Sequence, residues 1–193
     1  MGRSVCPSNS EFEDTCVKLT ETSIAGVMRI DIAPTKDTRG FFARSFCTEF
    51  LANAGYPFTV AQENISFNDR AATLRGLHYQ AGPDGDPKIV RCERGAIWDV
   101  AIDLRPTSPT YLRWTSANLT AKNAAALFIP AGCAHGFISL EDASQILYLM
   151  GAPYLPKLSR GVRWDDPAFG IRWPIQPAVI SERDATYADY RVC

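Results

Sequence analysis

Only two histidines occur among the 193 residues, and each lies in a segment with the makings of a reactive site. His78 sits in Leu74-Arg75-Gly76-Leu77-His78-Tyr79-Gln80, and His135 in Pro130-Ala131-Gly132-Cys133-Ala134-His135-Gly136-Phe137. Imidazole titrates nearer to neutral pH than other side chains, which makes it the default group for moving a proton. A histidine is more often a surface or packing residue, but here Gly, Arg and aromatic neighbours surround both. Cations suited to an anionic ligand lie nearby in the sequence. Arg39 belongs to Asp37-Thr38-Arg39-Gly40-Phe41-Phe42, a turn leading into an aromatic strand. Arg75 precedes His78 by three positions, so a regular strand would point them to opposite faces unless it bends at Gly76. Lys88 opens a strand after a Gly/Pro-rich loop. A guanidinium fork matches diphosphate oxygens, and flanking rings offer stacking faces for a base or sugar. Each cation alone reads as a solvated surface charge. Together with the histidines they outline a pocket for an anionic ligand.

The elements that must position these groups read as strands. Short apolar or alternating stretches recur at Val27–Ile32, Gly40–Phe46, Lys88–Arg91, Ala96–Ile102, Leu127–Ile129, Gly136–Leu140 and Gln145–Met150. Turn clusters separate them, such as Ala81-Gly82-Pro83-Asp84-Gly85-Asp86-Pro87 and Pro106-Thr107-Ser108-Pro109. From Ala96 the order has period two: Ala96, Trp98, Val100 and Ile102 share one face, Ile97, Asp99, Ala101 and Asp103 the other. Thr48 to Gly55 predicts a short helix, and the tail after Ser181 predicts another turn or two. Many short strands with Gly/Pro turns predict an all-β, jelly-roll domain with short peripheral helices. A single domain is expected over 21–193, preceded by a polar arm at 1–20.

Bulk properties exclude several classes. Twenty basic and twenty-one acidic side chains leave a net charge of -1, so no basic surplus points to nucleic acid. No apolar run approaches the ~18–20 residues a membrane helix needs. The first fifteen residues are polar and acidic, so no signal peptide is expected. Six cysteines show no C-x-x-C pair or metal-ligand spacing, which predicts free thiols in a reducing cytoplasm.

Several segments carry a resemblance. Leu74–Gln80, Lys88–Arg91, Gly95–Asp103, Ser108-Pro109-Thr110, Ile129–Phe137 and Trp164-Asp165-Asp166-Pro167 follow in the order and spacing of the dTDP-4-dehydrorhamnose 3,5-epimerase family. The similarity runs from about Met28 to about Tyr187. It implies a cupin jelly-roll barrel, a homodimer, no metal or organic cofactor, and inversion of carbons beside the 4-keto group of a nucleotide-linked 6-deoxy sugar. By that resemblance His78 matches the base, Asp184 the carboxylate that orients it, Lys88 the cation near the developing enolate, and Tyr148 the acid on the opposite face. Arg39, Gln62, Asn64, Arg75, His135, Tyr154 and Arg183 match positions that grip the nucleotide diphosphate or sugar, and the segment around Arg39 matches one that crosses into the partner subunit.

The chain also departs from the family. Arg44 stands where a base-contacting Glu is common, which opens the choice of nucleotide. Leu149-Met150-Gly151-Ala152-Pro153-Tyr154 replaces a usual Lys and Tyr-Tyr pair, altering the wall around C5 and C6 of the sugar. A Glu expected near Ser159 is missing. A 3-only or 5-only epimerase acting on a CDP- or GDP-linked sugar therefore stands beside the main expectation. Two further rivals are a metal-dependent cupin, disfavoured by the lack of an H-x-H motif, and a non-catalytic sugar-nucleotide-binding cupin, disfavoured by the presence of His78, Asp184, Lys88 and Tyr148 together.

Overall fold

The computed structural model describes residues 17–82 and 85–191. Its elements run β1 (Lys18–Glu21), β2 (Met28–Asp31), β3 (Thr35–Asp37), β4 (Gly40–Phe42), α1 (Thr48–Asn53), β5 (Gln62–Asn68), β6 (Thr73–Gln80), β7 (Lys88–Arg94), β8 (Ala96–Asp103) and β9 (Trp114–Thr120). They continue with β10 (Ala126–Ile129), β11 (Cys133–Ser139), β12 (Ser144–Met150), β13 (Ser159–Gly161), β14 (Val179–Ile180) and α2 (Glu182–Ala185). The expected all-β jelly roll with short peripheral helices is therefore observed. Most of the expected N-terminal arm lies outside the described residues, and its last positions enter β1.

Two sheets face each other. One has the order β1-β2-β10-β7-β12-β5, the other β13-β6-β11-β8-β9 with β14 beside β6. Between them lies a core that includes Val90, Ile97, Ala101, Leu119, Leu127, Ile129, Phe137 and Ile146. The period-two reading from Ala96 holds. Ile97 and Ala101 enter that inner core, while Val100, Ile102 and Trp98 pack outward beneath Val162, Phe169 and Trp173 of the C-terminal segment. β8 is thus apolar on both faces because each is covered.

α1 closes the outer side of the first sheet by burying Leu51 against Met28, Ile30, Ile89 and Phe128. Ala54 caps its C-terminus, and Gly55 follows with φ +87°, a left-handed conformation that glycine adopts at no steric cost. The strand expected over Gly40–Phe46 ends at Phe42. Among the described residues it pairs with the three-residue β3, and the β3–β4 hairpin leaves Phe41 and Phe42 exposed. β5 was not expected from the sequence, and its two apolar residues, Ile65 and Phe67, are exposed. Its strand GlnGluAsnIleSerPheAsn lies at a sheet edge and turns Asn64 and Ser66 toward a cavity rather than into the core.

A β-bulge in β6 is the local device that matters most. His135 of β11 pairs with His78, but Phe137 pairs with Arg75, so three steps on β6 oppose two on β11. The extra residue reverses the alternation once. Arg75 and His78 consequently share the cavity face, as a bend at Gly76 required. Gly76 has φ +119°, and an added Cβ there would run into the backbone of Gly136.

Candidate functional site

A cavity of about 720 Å³ opens between the two sheets. The first sheet contributes Asn64 and Ser66 from β5, Lys88 from β7, and Tyr148 and Met150 from β12; the second contributes Arg75, His78, His135 and Phe137. Tyr154, Arg183 and Asp184 complete the wall. The four expected catalytic side chains and five of the eight expected binding residues therefore meet in one place.

His78 and Asp184 form a tight pair, with imidazole Nε2 2.7 Å from the carboxylate Oδ1. Ser181 caps α2 by accepting the Asp184 backbone N–H, which aims the carboxylate of this short helix back at β6. Its other oxygen accepts the Gly76 N–H at 3.1 Å. Burial pushes the Asp184 carboxyl up. The hydrogen bonds from His78, Gly76 and Arg183 and the attraction of a charged imidazole outweigh burial and bring it to about 2. An ionised Asp184 can only accept, so Nε2 carries the shared proton. Arg183 Nη2, 3.0 Å from Nε2, is then a close approach rather than a donor to it. Nδ1 of a neutral His78 is left with the lone pair able to take up a proton.

His135 makes a second, deeper pair. Its Nε2 lies 2.7 Å from Asp99 Oδ1, and Asp99 is wholly buried. Burial raises the Asp99 carboxyl, opposed by the charge and hydrogen bond of His135 and by the charge of Lys88. Across the cavity the Tyr148 ring stands edge-on to His135 with centroids 6.1 Å apart, and its hydroxyl is 3.2 Å from Ser66 Oγ. Burial pushes the Tyr148 phenol well above its ordinary value; the Ser66 hydrogen bond and Arg75 oppose that shift, and the Asp99 charge adds to it.

Besides Arg183, two cations face the same space. Lys88, buried, donates to Asp86 Oδ2 at 2.6 Å, and Asp86 is itself fixed by the Gln80 N–H at 2.9 Å. Arg75 Nε donates to Asn68 Oδ1 at 2.7 Å. Asp86, Asp99, Ser66 and Asn68 were not expected from the sequence. Asp99 did leave a signal, being a carboxylate in a strand apolar on both faces, where burial demands a partner. Asp86 sits two positions before Lys88, on the same side of an extended chain.

Three expected binding residues stand apart from this wall. Gln62 braces the rim by accepting the Tyr154 backbone N–H at 2.6 Å. Arg39 pairs with Asp37 at 2.6 Å on the β3–β4 hairpin with 88% of its side chain exposed. Arg44 is exposed beyond that hairpin. The chain alone does not bring Arg39 or Arg44 to the cavity.

Chemically, the cavity pairs a histidine–carboxylate dyad on one sheet with a phenol and an ammonium on the opposite sheet. That is a set for removing a proton beside a carbonyl and stabilising the resulting charge. Among the described residues no group of three or more His, Cys, Asp or Glu could hold a metal ion.

A sequence model described as dTDP-4-dehydrorhamnose 3,5-epimerase matches residues 21–191. The chain belongs to the dTDP-4-dehydrorhamnose 3,5-epimerase family. It is an enzyme, a carbohydrate epimerase of the isomerase class. It is 43% identical over 165 residues to dTDP-4-dehydrorhamnose 3,5-epimerase of Sinorhizobium fredii, covering 85% of each chain. The fold is similar to the Bacillus anthracis enzyme of this name with TDP and PPi bound, at TM-score 0.87 and 32% identity over 91% of this chain and 100% of that one. It is also similar to a 3'-monoepimerase from Streptomyces bikiniensis in complex with dTDP-quinovose, at TM-score 0.77 and 37% identity over 84% of this chain and 83% of that one. No helix among the described residues is long and apolar enough to cross a membrane.

Proposed function

We propose that the protein epimerises a dTDP-linked 4-keto-6-deoxy sugar, by taking a proton from a carbon beside the 4-keto group and returning one to the opposite face. The observation that carries this reading is the placement of His78 and Tyr148 on facing sheets of one cavity. His78 Nδ1 accepts the C–H proton, and the electron pair moves into the C–C bond and onto the ketone oxygen, giving an enolate. Lys88 stabilises that oxygen, while Asp184 holds the imidazole and the imidazolium that forms. Tyr148 protonates the carbon from the other side. The cycle leaves imidazolium and phenolate, which return to the starting state by exchange with solvent. Inversion needs two groups, since one base acting alone restores the original centre.

Arg75, Asn64, His135, Tyr154 and Arg183 grip the sugar and diphosphate in this reading, and Gln62 holds the segment that carries Tyr154. Arg39 and Arg44 act from the partner subunit of a homodimer, reached by the exposed β3–β4 hairpin. Residues 21–193 make one catalytic unit behind the short arm. The free thiols Cys47, Cys92 and Cys133 fit a cytoplasmic enzyme.

A narrower reading, inversion at one centre only, is favoured by Met150 in the cavity wall and by the similarity to a 3'-monoepimerase. Incubation with dTDP-, CDP- and GDP-linked 4-keto-6-deoxy sugars in deuterated water, followed by NMR, tests both. Deuterium at C3 and C5 of the dTDP sugar with inverted configuration supports the full reaction, and label with inversion at one carbon supports the narrower one. No incorporation into the dTDP sugar would contradict both.

A further inference from the structure

We propose that Tyr187 is a positioning residue for His78: its ring backs the imidazole from outside the cavity wall, in space left open by Gly161. This rests on the proposed function, because it assigns His78 the proton-abstracting role. Three independent features carry it. The Tyr187 and His78 rings meet edge-on, with centroids 6.3 Å apart and planes at 73°. Gly161 of β13 is the register partner of His78, and the Tyr187 ring occupies the place where a Cβ on Gly161 would lie. Gly161 is not among the residues with positive φ, so the backbone does not call for glycine there; the ring does.

The third feature is the anchoring of the segment that carries the ring. Arg163 Nη1 donates to the Tyr187 carbonyl at 3.3 Å and pairs with Asp189 at 2.6 Å. The Tyr190 N–H donates to the buried Asp166 at 2.5 Å. Tyr187 itself does not line the cavity, which separates it from residues that would touch substrate. Asp184 fixes one atom of the imidazole, Nε2, and leaves the ring free to swing about that contact. A ring packed against its flank removes this freedom and keeps Nδ1 aimed at the substrate. A general base displaced by about 1 Å can cost roughly 10²-fold in rate.

The test is steady-state epimerisation by the full chain with single and double variants, each first shown to be folded by circular dichroism. Tyr187→Ala is expected to lower kcat by about 10- to 100-fold with KM nearly unchanged, and Tyr187→Phe, which keeps the ring, to retain near-wild-type kcat. Gly161→Ala, which evicts the ring without removing it, is expected to reproduce the kcat loss. The Gly161→Ala/Tyr187→Ala pair should be no worse than the poorer single variant, because both remove one interaction. Should Tyr187→Ala fail to fold, Tyr187→Leu and Gly161→Ala carry the same comparison. Wild-type kcat in the Ala variant, a loss confined to KM, failure of Tyr187→Phe to rescue, or full additivity in the double variant would each overturn the role. If the wild-type enzyme itself incorporates no deuterium into the dTDP sugar, the proposed function falls and this inference with it. Wild-type exchange beside an unimpaired Tyr187→Ala overturns this inference alone.

Discussion

Replacing His78 by Ala removes the group to which the proposed chemistry assigns the first proton, and turnover is expected to fall by about two to four orders of magnitude. Asp184→Asn should cost less, because the imidazole survives but loses the carboxylate that fixes its proton on Nε2 and stabilises its charged form. Product formation followed by NMR checks both; an unimpaired His78→Ala would contradict the assignment. At this scale the sequence was informative where residue type alone limits the chemistry. Two histidines in 193 residues drew attention to one wall of the cavity, and the resemblance supplied Asp184 and Tyr148. The partners that set their behaviour were less legible. Ser66 and Asp86 are ordinary polar residues until folding brings Ser66 within 3.2 Å of Tyr148 and Asp86 within 2.6 Å of Lys88.

Strands, not loops, hold most of the site, and one irregular strand decides whether it assembles. The bulge in β6 lets Arg75 and His78, three apart, face the same cavity. It depends on close backbone contact between Gly76 and Gly136. A Cβ at Gly136 would press on the Arg75 carbonyl and the Leu77 side chain. Gly136→Ala is therefore expected to destabilise the fold by about 1–3 kcal/mol, the usual scale of overpacking, and to cut activity by misplacing His78. Thermal unfolding measures the first effect and turnover the second; wild-type values of both would show that the bulge tolerates the methyl. Sequence reading reached this device only as a condition, that the chain bend at Gly76. It located β7, β8, β10, β11 and β12 because their apolar order is strong. Of the longer strands it did not name β5, β6 or β9: β5 turns Asn64 and Ser66 to the cavity, β6 interrupts its apolar residues with Arg75, Gly76 and His78, and β9 mixes Ser, Asn and Thr among its own.

For the whole molecule, two buried carboxyls tie stability to acid pH. Asp184 and Asp103 are both brought down to about 2; for Asp103 burial raises the carboxyl, and hydrogen bonds from Arg105, Ser108 and Thr110 more than offset it. A carboxyl lowered in the folded state binds protons less well there than in the unfolded chain. Its stabilising contribution is complete above the ordinary value of 3.8 and is lost as pH falls toward about 2. Urea unfolding at stepped pH should show stability declining over that window, and Asp184→Asn should flatten the decline. Undiminished wild-type stability at pH 2 would contradict the linkage. Asp99, raised by burial, acts with the opposite sign, favouring the fold more as pH falls.

The same whole-molecule view holds the central claim, that the two facing sheets supply the two faces of the reaction. His78 belongs to one sheet and Tyr148 to the other, so exchange and inversion are separable. Label exchange on one face requires only the base and a stabilised enolate, whereas inversion requires the far-side donor. The direct measurement is the ratio of deuterium incorporation to inverted product in Tyr148→Phe against wild type, on the dTDP-linked 4-keto-6-deoxy sugar. The account predicts that exchange persists while most epimerised product is lost at one centre or both. Unchanged product formation, or equal loss of exchange and inversion, would contradict it.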